Sequence, residues 1–479
     1  MHKFFLAMAV ALAACATPAP APEGVIAPAA LREDFRALYE GLQAAHYDLY
    51  ANTPRAAYDR LYADMAAQIN APMTPFEAQV FFQRFAAAGR VAHARLEFPS
   101  AAFDAFREGG GLAFPLSVRI DAGRVFVTEN LSVRDDIEAG DEISSLNGQP
   151  MGEWLPRLRA HISADTDYLA DAQIDQMFAA LLWLELGEAA TFDIGLRKGD
   201  GRTAHLTLAG RSRIDMRAAA AEAPPTLSID PTERLARMLP GDVAYLRPGI
   251  FMNYPGDDPY DTTAFHAFID TSFTHFIEAG ATTLLVDLRN NPGGDNSFSD
   301  HMIAWFADEP FRFTSDFRIR VSPQTTASNA ARLTEASADS VSRRLAELYA
   351  DAAPGDIVSF EIAMAQPRAG QRFTGSVFAL INRGSYSNTV SVAAILQDYG
   401  FGDILGEATS DLATTYGAME RFTLRNTGFS VGYPKAYILR PNGDTRVAGV
   451  NPDVFIATPI VQGADDPVLQ EALRIASAR

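Results

Sequence analysis

Residues 381–400 read INRGSYSNTVSVAAILQDYG, and the fold of the whole chain turns on how they are read. The run before them, SVFALI over 376–381, is rich enough in large apolar residues to be a buried strand. Arg383, Gly384 and Ser385 then break the run. From Ser387 onward Val390, Ala393, Ala394 and Leu396 follow a helical spacing. The stretch therefore predicts strand, tight turn and helix, with Ser387 at the helix entrance. Two roles are open to Ser387. It can be an N-cap, which needs no chemistry. It can also present its hydroxyl where free backbone N–H groups and the helix dipole favour a developing oxyanion.

Working outward, TTLLVDL over 282–288 is a near-continuous apolar run, as a strand buried on both faces requires. Arg289-Asn290-Asn291-Pro292-Gly293-Gly294 follows, then a helix around 297–306. Residues 263–279 form an amphipathic helix stopped by Gly280, and 243–247 a strand. This alternation predicts an α/β core over 236–460. The glycine pair lets backbone approach a ligand closely, or simply makes a turn. A phosphate loop is excluded, because no Lys-Ser/Thr follows the glycines.

Toward the N-terminus, 31–108 reads as a helical domain, with apolar spacing over 31–44 and 56–69. Thr74-Pro75-Phe76-Glu77 marks the start of a third helix reaching about residue 88. His93 follows in a short extended segment; a lone histidine is more often structural than catalytic. Residues 109–212 are mostly strand-like, with a helical insertion over 151–186. Their Gly110-Gly111-Leu112-Ala113-Phe114-Pro115-Leu116 loop and Gly140-Asp141-Glu142-Ile143…Asn147-Gly148 turn resemble a PDZ domain. The plainer alternative is a small β domain with an Asn-Gly turn. The resemblance implies that a peptide end adds to a sheet edge, with Phe114 and Leu116 in the peptide-binding region. Residues 213–235, Ala/Glu/Pro-rich in part, read as a linker, and 461–479 as a short C-terminal surface helix.

Residues 1–14 carry a basic start and a short apolar run, a signal peptide. Cys15, the chain's single cysteine, follows small residues as in a bacterial lipobox, so lipidation at Cys15 is expected. Residues 15–30 are a Pro/Ala tether. The expected location is the bacterial cell envelope, facing the periplasm, on the outer rather than the inner membrane.

The 479 residues are 48% hydrophobic and 21% charged, an ordinary globular balance long enough for two to four domains. Net charge is −19 without a Lys/Arg block, which argues against nucleic acid as a partner. No His, Cys and carboxylate cluster stands at ligand spacing, so no metal and no cofactor are expected.

Together, Leu285-Val286-Asp287-Leu288-Arg289-Asn290-Asn291-Pro292-Gly293-Gly294, the Ser387 stretch, Gly406-Glu407-Ala408-Thr409 and Gly449-Val450-Asn451-Pro452-Asp453-Val454 resemble the ordered motifs of the tail-specific (C-terminal processing) serine peptidases and their tricorn-core relatives. His46-Tyr47-Asp48-Leu49-Tyr50 and the His93 segment resemble elements of the tricorn-like branch. The resemblance implies a multidomain α/β fold with a crotonase-like core, and peptide or protein substrates. It implies Ser387 as nucleophile and the N–H groups of Asn388 and of Gly293 or Gly294 as oxyanion hole. The base lysine of one branch falls on Leu412, so a Ser-Lys dyad is not expected. His93 is the expected base, with Asp444 as its supporting acid and His301 in reserve. The family's glutamate three residues after the serine is Val390 here. A degenerate peptide-binding adaptor is the alternative. An esterase is also compatible, although Ser387 lacks the G-x-S-x-G elbow.

Overall fold

The computed structural model describes residues 24–333 and 340–478; the expected signal peptide and Cys15 lie outside the described residues. The core is one six-stranded sheet. Its order is Val454–Phe455, Asp403–Gly406, Ser376–Ile381, Thr283–Asp287, Val243–Arg247 and Leu235–Leu239. All neighbours are parallel except the last pair.

Alternation along the strands sends successive side chains to opposite faces. Ala244, Leu246, Leu284, Val286, Ala379 and Ile381 pack on one face against helices Thr263–Glu278, Asn296–Ile303 and Asn388–Tyr399. Val243, Tyr245, Leu285, Phe378 and Leu380 pack on the other against helix Pro467–Ala476. That last helix is therefore a layer of the core rather than a surface appendage: Val468, Ala472 and Ala476 are buried. Arg289 joins it to the sheet through paired bonds to Asp287 and Asp466.

A second sheet pairs Arg95–Leu96, Ser430–Leu439, Asp316–Arg320 and Ile357–Ser359, with Thr415–Thr423 along Ser430–Leu439. Helices Pro28–Ala45, Arg55–Gln68 and Pro75–Ala87 precede it, the third with the Thr74–Glu77 capping box the sequence predicts. Because Arg95–Leu96 pairs with Val431 and Gly432, His93 is carried to the edge of this sheet.

The third sheet belongs to the 109–212 domain, in the order Leu116–Asp121, Arg124–Asn130, Glu142–Leu146, Thr191–Arg197, Thr203–Ala209. The helical insertion is two helices, Met151–Arg159 and Asp167–Leu186. Phe114 and Leu116 do not offer side chains to a peptide. Both are buried in this domain's core, and Phe114 meets Phe178 and Phe192 edge-on. Of the expected linker, Arg213–Glu222 is a helix. Ser212 caps it, and its alanines are strong helix formers.

Candidate active site

Strands Thr283–Asp287 and Ser376–Ile381 are parallel neighbours, so the turns at their carboxyl ends must meet. Hydrogen bonds stitch the two turns together. The Ser385 hydroxyl donates to the Leu288 carbonyl at 2.8 Å, Asn382 Nδ2 to Asn290 Oδ1 at 2.8 Å, and the Tyr386 N–H to the Asn291 carbonyl at 3.0 Å. The D-L-R of the upstream motif is scaffolding. Burial pushes the Asp287 carboxyl up, but the Arg289 guanidinium outweighs it and holds the group below the usual range.

Ser387 has φ 54° and ψ −125°, a left-handed conformation that costs a non-glycine residue of order 1–3 kcal/mol. Its side chain caps nothing. The helix that begins at Asn388 thus leaves the Ser387 hydroxyl unused, which sets the N-cap role aside. The strained backbone is held by Asp411, whose Oδ2 accepts the Ser387 N–H at 2.7 Å and whose Oδ1 accepts the Leu412 N–H at 2.9 Å. Burial pushes the Asp411 carboxyl up to about 6. Val390, in place of a bracing glutamate, is buried in the core. The entrance is braced instead by Asp411 and by the Asn388 amide on the Ser299 hydroxyl at 2.9 Å.

The glycine pair is required by contact. A Cβ on Gly293 would stand 2.9 Å from Ser387 Cβ and 2.7 Å from the Asn388 nitrogen. One on Gly294 would stand 2.0 Å from the Phe251 carbonyl oxygen. The Gly293 N–H is taken by Asn291 Oδ1 at 3.0 Å. The N–H groups of Gly294 and Asn388 have no acceptor among the described residues. These two are therefore the donors free to hold an oxyanion beside Ser387.

His93 is buried, and its ring stacks on Tyr386 with centroids 6.0 Å apart. It makes no hydrogen bond to Ser387, and its Nδ1 has no partner. Burial, and then Arg95, push the imidazole down to about 4, against the pull of Asp165 and the Tyr416 backbone. At neutral pH the ring is uncharged and able to take a proton. The carboxylate beside it is Asp165, from the loop between Met151–Arg159 and Asp167–Leu186. Asp165 Oδ2 accepts the Ala92 N–H at 3.1 Å, and burial pushes it up to about 6. Asp444 stands elsewhere. It is on the surface, paired with Arg446 at 2.6 Å, and is not among the charges acting on His93. His301 is engaged by the His266 ring at 3.9 Å and by Asp270 at 2.7 Å.

Asp411 and Asp165 were not legible as site residues. Asp411 directly precedes Leu412, which offers a positional hint; Asp165 follows no motif. Among the described residues no group of three or more His, Cys, Asp or Glu converges to hold a metal ion.

Residues 245–456 match the model of peptidase family S41. No curated protein sequence gives a significant match. Among solved structures, mature CPAF complexed with lactacystin is similar at 16% identity and TM-score 0.60, over 89% of this chain and 94% of that one. Mature CPAF alone gives 16%, 0.57, 89% and 93%. The photosystem II D1 C-terminal processing protease is a looser likeness, with 17% identity and TM-score 0.45 over 93% and 97%.

Proposed function

We propose, from the match of residues 245–456 to the model of peptidase family S41, that the chain cleaves peptide bonds through Ser387, with His93 as general base. The observation that carries the reading is the strained Ser387, its hydroxyl unspent, beside two unpaired N–H groups. In the reaction Ser387 Oγ attacks the scissile carbonyl carbon while His93 takes its proton. The Gly294 and Asn388 N–H groups receive the oxyanion, a contribution worth roughly 3–4 kcal/mol per donor in such sites. His93 then returns the proton to the departing amine. Water, deprotonated by the same ring, releases the acyl group from Ser387. Asp165 lies near enough to stabilise the imidazolium electrostatically.

A Ser-Lys mechanism is disfavoured. The chain's lysines are Lys3, Lys198 and Lys435. Lys198 is paired with Asp141 at 2.7 Å and Lys435 with Glu420 at 2.6 Å. We further propose the envelope location, the Cys15 lipid anchor and a PDZ-type role for the 109–212 domain in presenting substrate ends. One observation favours the second reading, a peptide-binding adaptor without cleavage: the absence of a Ser387–His93 hydrogen bond. Catalytic hydrogen bonds often tighten only when substrate arrives, so the peptidase reading is preferred.

Labelling of the purified chain with a fluorophosphonate probe tests this. The native chain is expected to label, and Ser387→Ala and His93→Ala to lose labelling. A folded native chain that does not label would overturn the peptidase reading in favour of the adaptor.

A further inference from the structure

Arg95 stands two residues after His93, at the start of the short strand that pairs with Ser430–Leu439. Side chains alternate along a strand. Leu96 takes the face that packs with Val431 and Tyr433 in the core of the helical region. Arg95 takes the other. There its guanidinium acts on three groups of the site: the His93 imidazole, the Tyr386 hydroxyl and the Asp411 carboxyl.

Arginines shielded from water elsewhere in the chain are compensated. Arg289, Arg383 and Arg440 each stand within 3.2 Å of a carboxylate, and Arg107 donates to the Gly111 and Arg211 carbonyls. Arg95 forms no ion pair among the described residues, and its Nε is buried without a partner. A cation withdrawn from water without a counter-ion is costly. The strand does not need this one, because the pairing with Gly432 is made by backbone. A costly charge that the fold does not use points to the chemistry beside it. The groups facing the His93 ring come from four elements. Arg95 is on the ring's own segment and Asp165 on the loop after Met151–Arg159; Tyr386 is on the nucleophile turn and Tyr416 on Thr415–Thr423. Asp411 acts in turn on Tyr386 and Asp165. Among these groups Arg95 is the one cation.

We infer that Arg95 is a positioning residue for the proposed reaction: its unbalanced charge keeps the His93 ring neutral, and so ready to take the Ser387 proton, in mildly acidic medium. Burial already disfavours the imidazolium, and the like charge of Arg95 extends that preference to lower pH. Asp165 pulls the other way, so the two charges set the basicity of the ring between them. Seclusion from water makes both effects larger than they would be on the surface. The inference rests on His93 as the base, and its test reads the ring separately from the reaction.

Carbon-13 NMR of the histidine rings in the purified full chain follows His93 directly, its signal identified by its loss in His93→Gln. The native ring is expected to titrate near pH 4. Arg95→Gln should raise that midpoint by about one pH unit, as removal of a like charge close by does. Arg95→Lys keeps the charge and should leave the midpoint nearly in place. Fluorophosphonate labelling of the same chains should show the acid limb of its pH profile displaced upward in Arg95→Gln and restored in Arg95→Lys. Arg95→Met carries the same expectation as Arg95→Gln, should the glutamine variant not fold. A His93 midpoint unmoved when the charge is removed, or moved as far by Arg95→Lys, would overturn the inference. A midpoint that moves in a chain that never labels would leave the effect of Arg95 on the ring standing and overturn the peptidase reading instead.

Discussion

The nucleophile half of the site and the base half are built in different ways. Ser387, Gly294, Asn388 and Asp411 all come from the core sheet and the turns at its carboxyl edge. Neighbouring parallel strands force them together, and at least three hydrogen bonds link the two turns. His93 comes from the end of the N-terminal helical region and Asp165 from the 109–212 domain. The two meet only because a two-residue strand pairs with the Ser430–Leu439 strand, and because Asp165 takes the Ala92 N–H. The nucleophile is thus a property of one domain, and the base a property of how three regions dock. A substitution in the first half should abolish the chemistry or the fold outright. In the second, loss of the His93 ring should abolish the chemistry and changes around it should grade it.

The largest expected effect is that of Ser387→Ala, which should lower the fluorophosphonate labelling rate by on the order of 10⁴-fold or more while leaving the urea-unfolding midpoint in place. Arg289→Ala removes one side of the buried Asp287–Arg289–Asp466 network and should cost about 3–5 kcal/mol in urea unfolding. A small loss would show that the nucleophile half is less rigidly tied than its bonds suggest. Asp165→Asn keeps the shape but removes the charge beside His93. Labelling should slow by roughly 10–100-fold with little change in stability, since the effect is electrostatic. No slowing would assign the support of His93 to another group.

The pH dependence sets His93 apart from the buried carboxylates Asp165 and Asp411, one in each half. His93 has its folded pKa lowered from 6.5 to about 4. The unfolded chain therefore binds the proton first, and stability falls as pH drops from about 6.5 toward 4. At pH 5 this loss is about 2 kcal/mol relative to pH 8, and His93→Gln should remove it. Asp411 is raised to about 6, so its contribution has the opposite sign, rising as pH falls through 6. Urea titrations of the native chain and His93→Gln at pH 5 and 8 measure the difference. The smallest effect is that of Asp444→Asn, a change in a surface pair outside both halves. Labelling should stay within about twofold, because a surface pair contributes little.

The core sheet, its Gly-rich turn, the helix after Ser387 and the Thr74 capping box were all legible, because each is a local pattern of apolar period and turn chemistry. Locality also explains the misreadings. An amphipathic C-terminal segment looks like a surface helix until Val468 and Ala472 are seen against Tyr245 and Phe378. Phe114 and Leu116 fit a peptide-binding loop by motif, yet the core of their own domain claims both side chains. Asp444 lies shortly before the Gly449–Val454 motif in the chain, yet the fold pairs it with Arg446 at the surface.

By itself the sequence determined that this chain has an α/β core with two turns at adjacent strand ends, and that one turn carries a serine and the other a glycine pair. Strand hydrophobicity and parallel crossover are enough for that. Only the tertiary structure decided the rest. Ser387 is held in a left-handed backbone by Asp411 rather than capping its helix, Gly293 has its N–H already spent, and His93 shares its pocket with Asp165. The Ser387 and His93 outcomes rest on contacts between residues 24 to more than 70 positions apart, which no local pattern records; the Gly293 bond spans only two residues and depends on how the Asn291 side chain is turned.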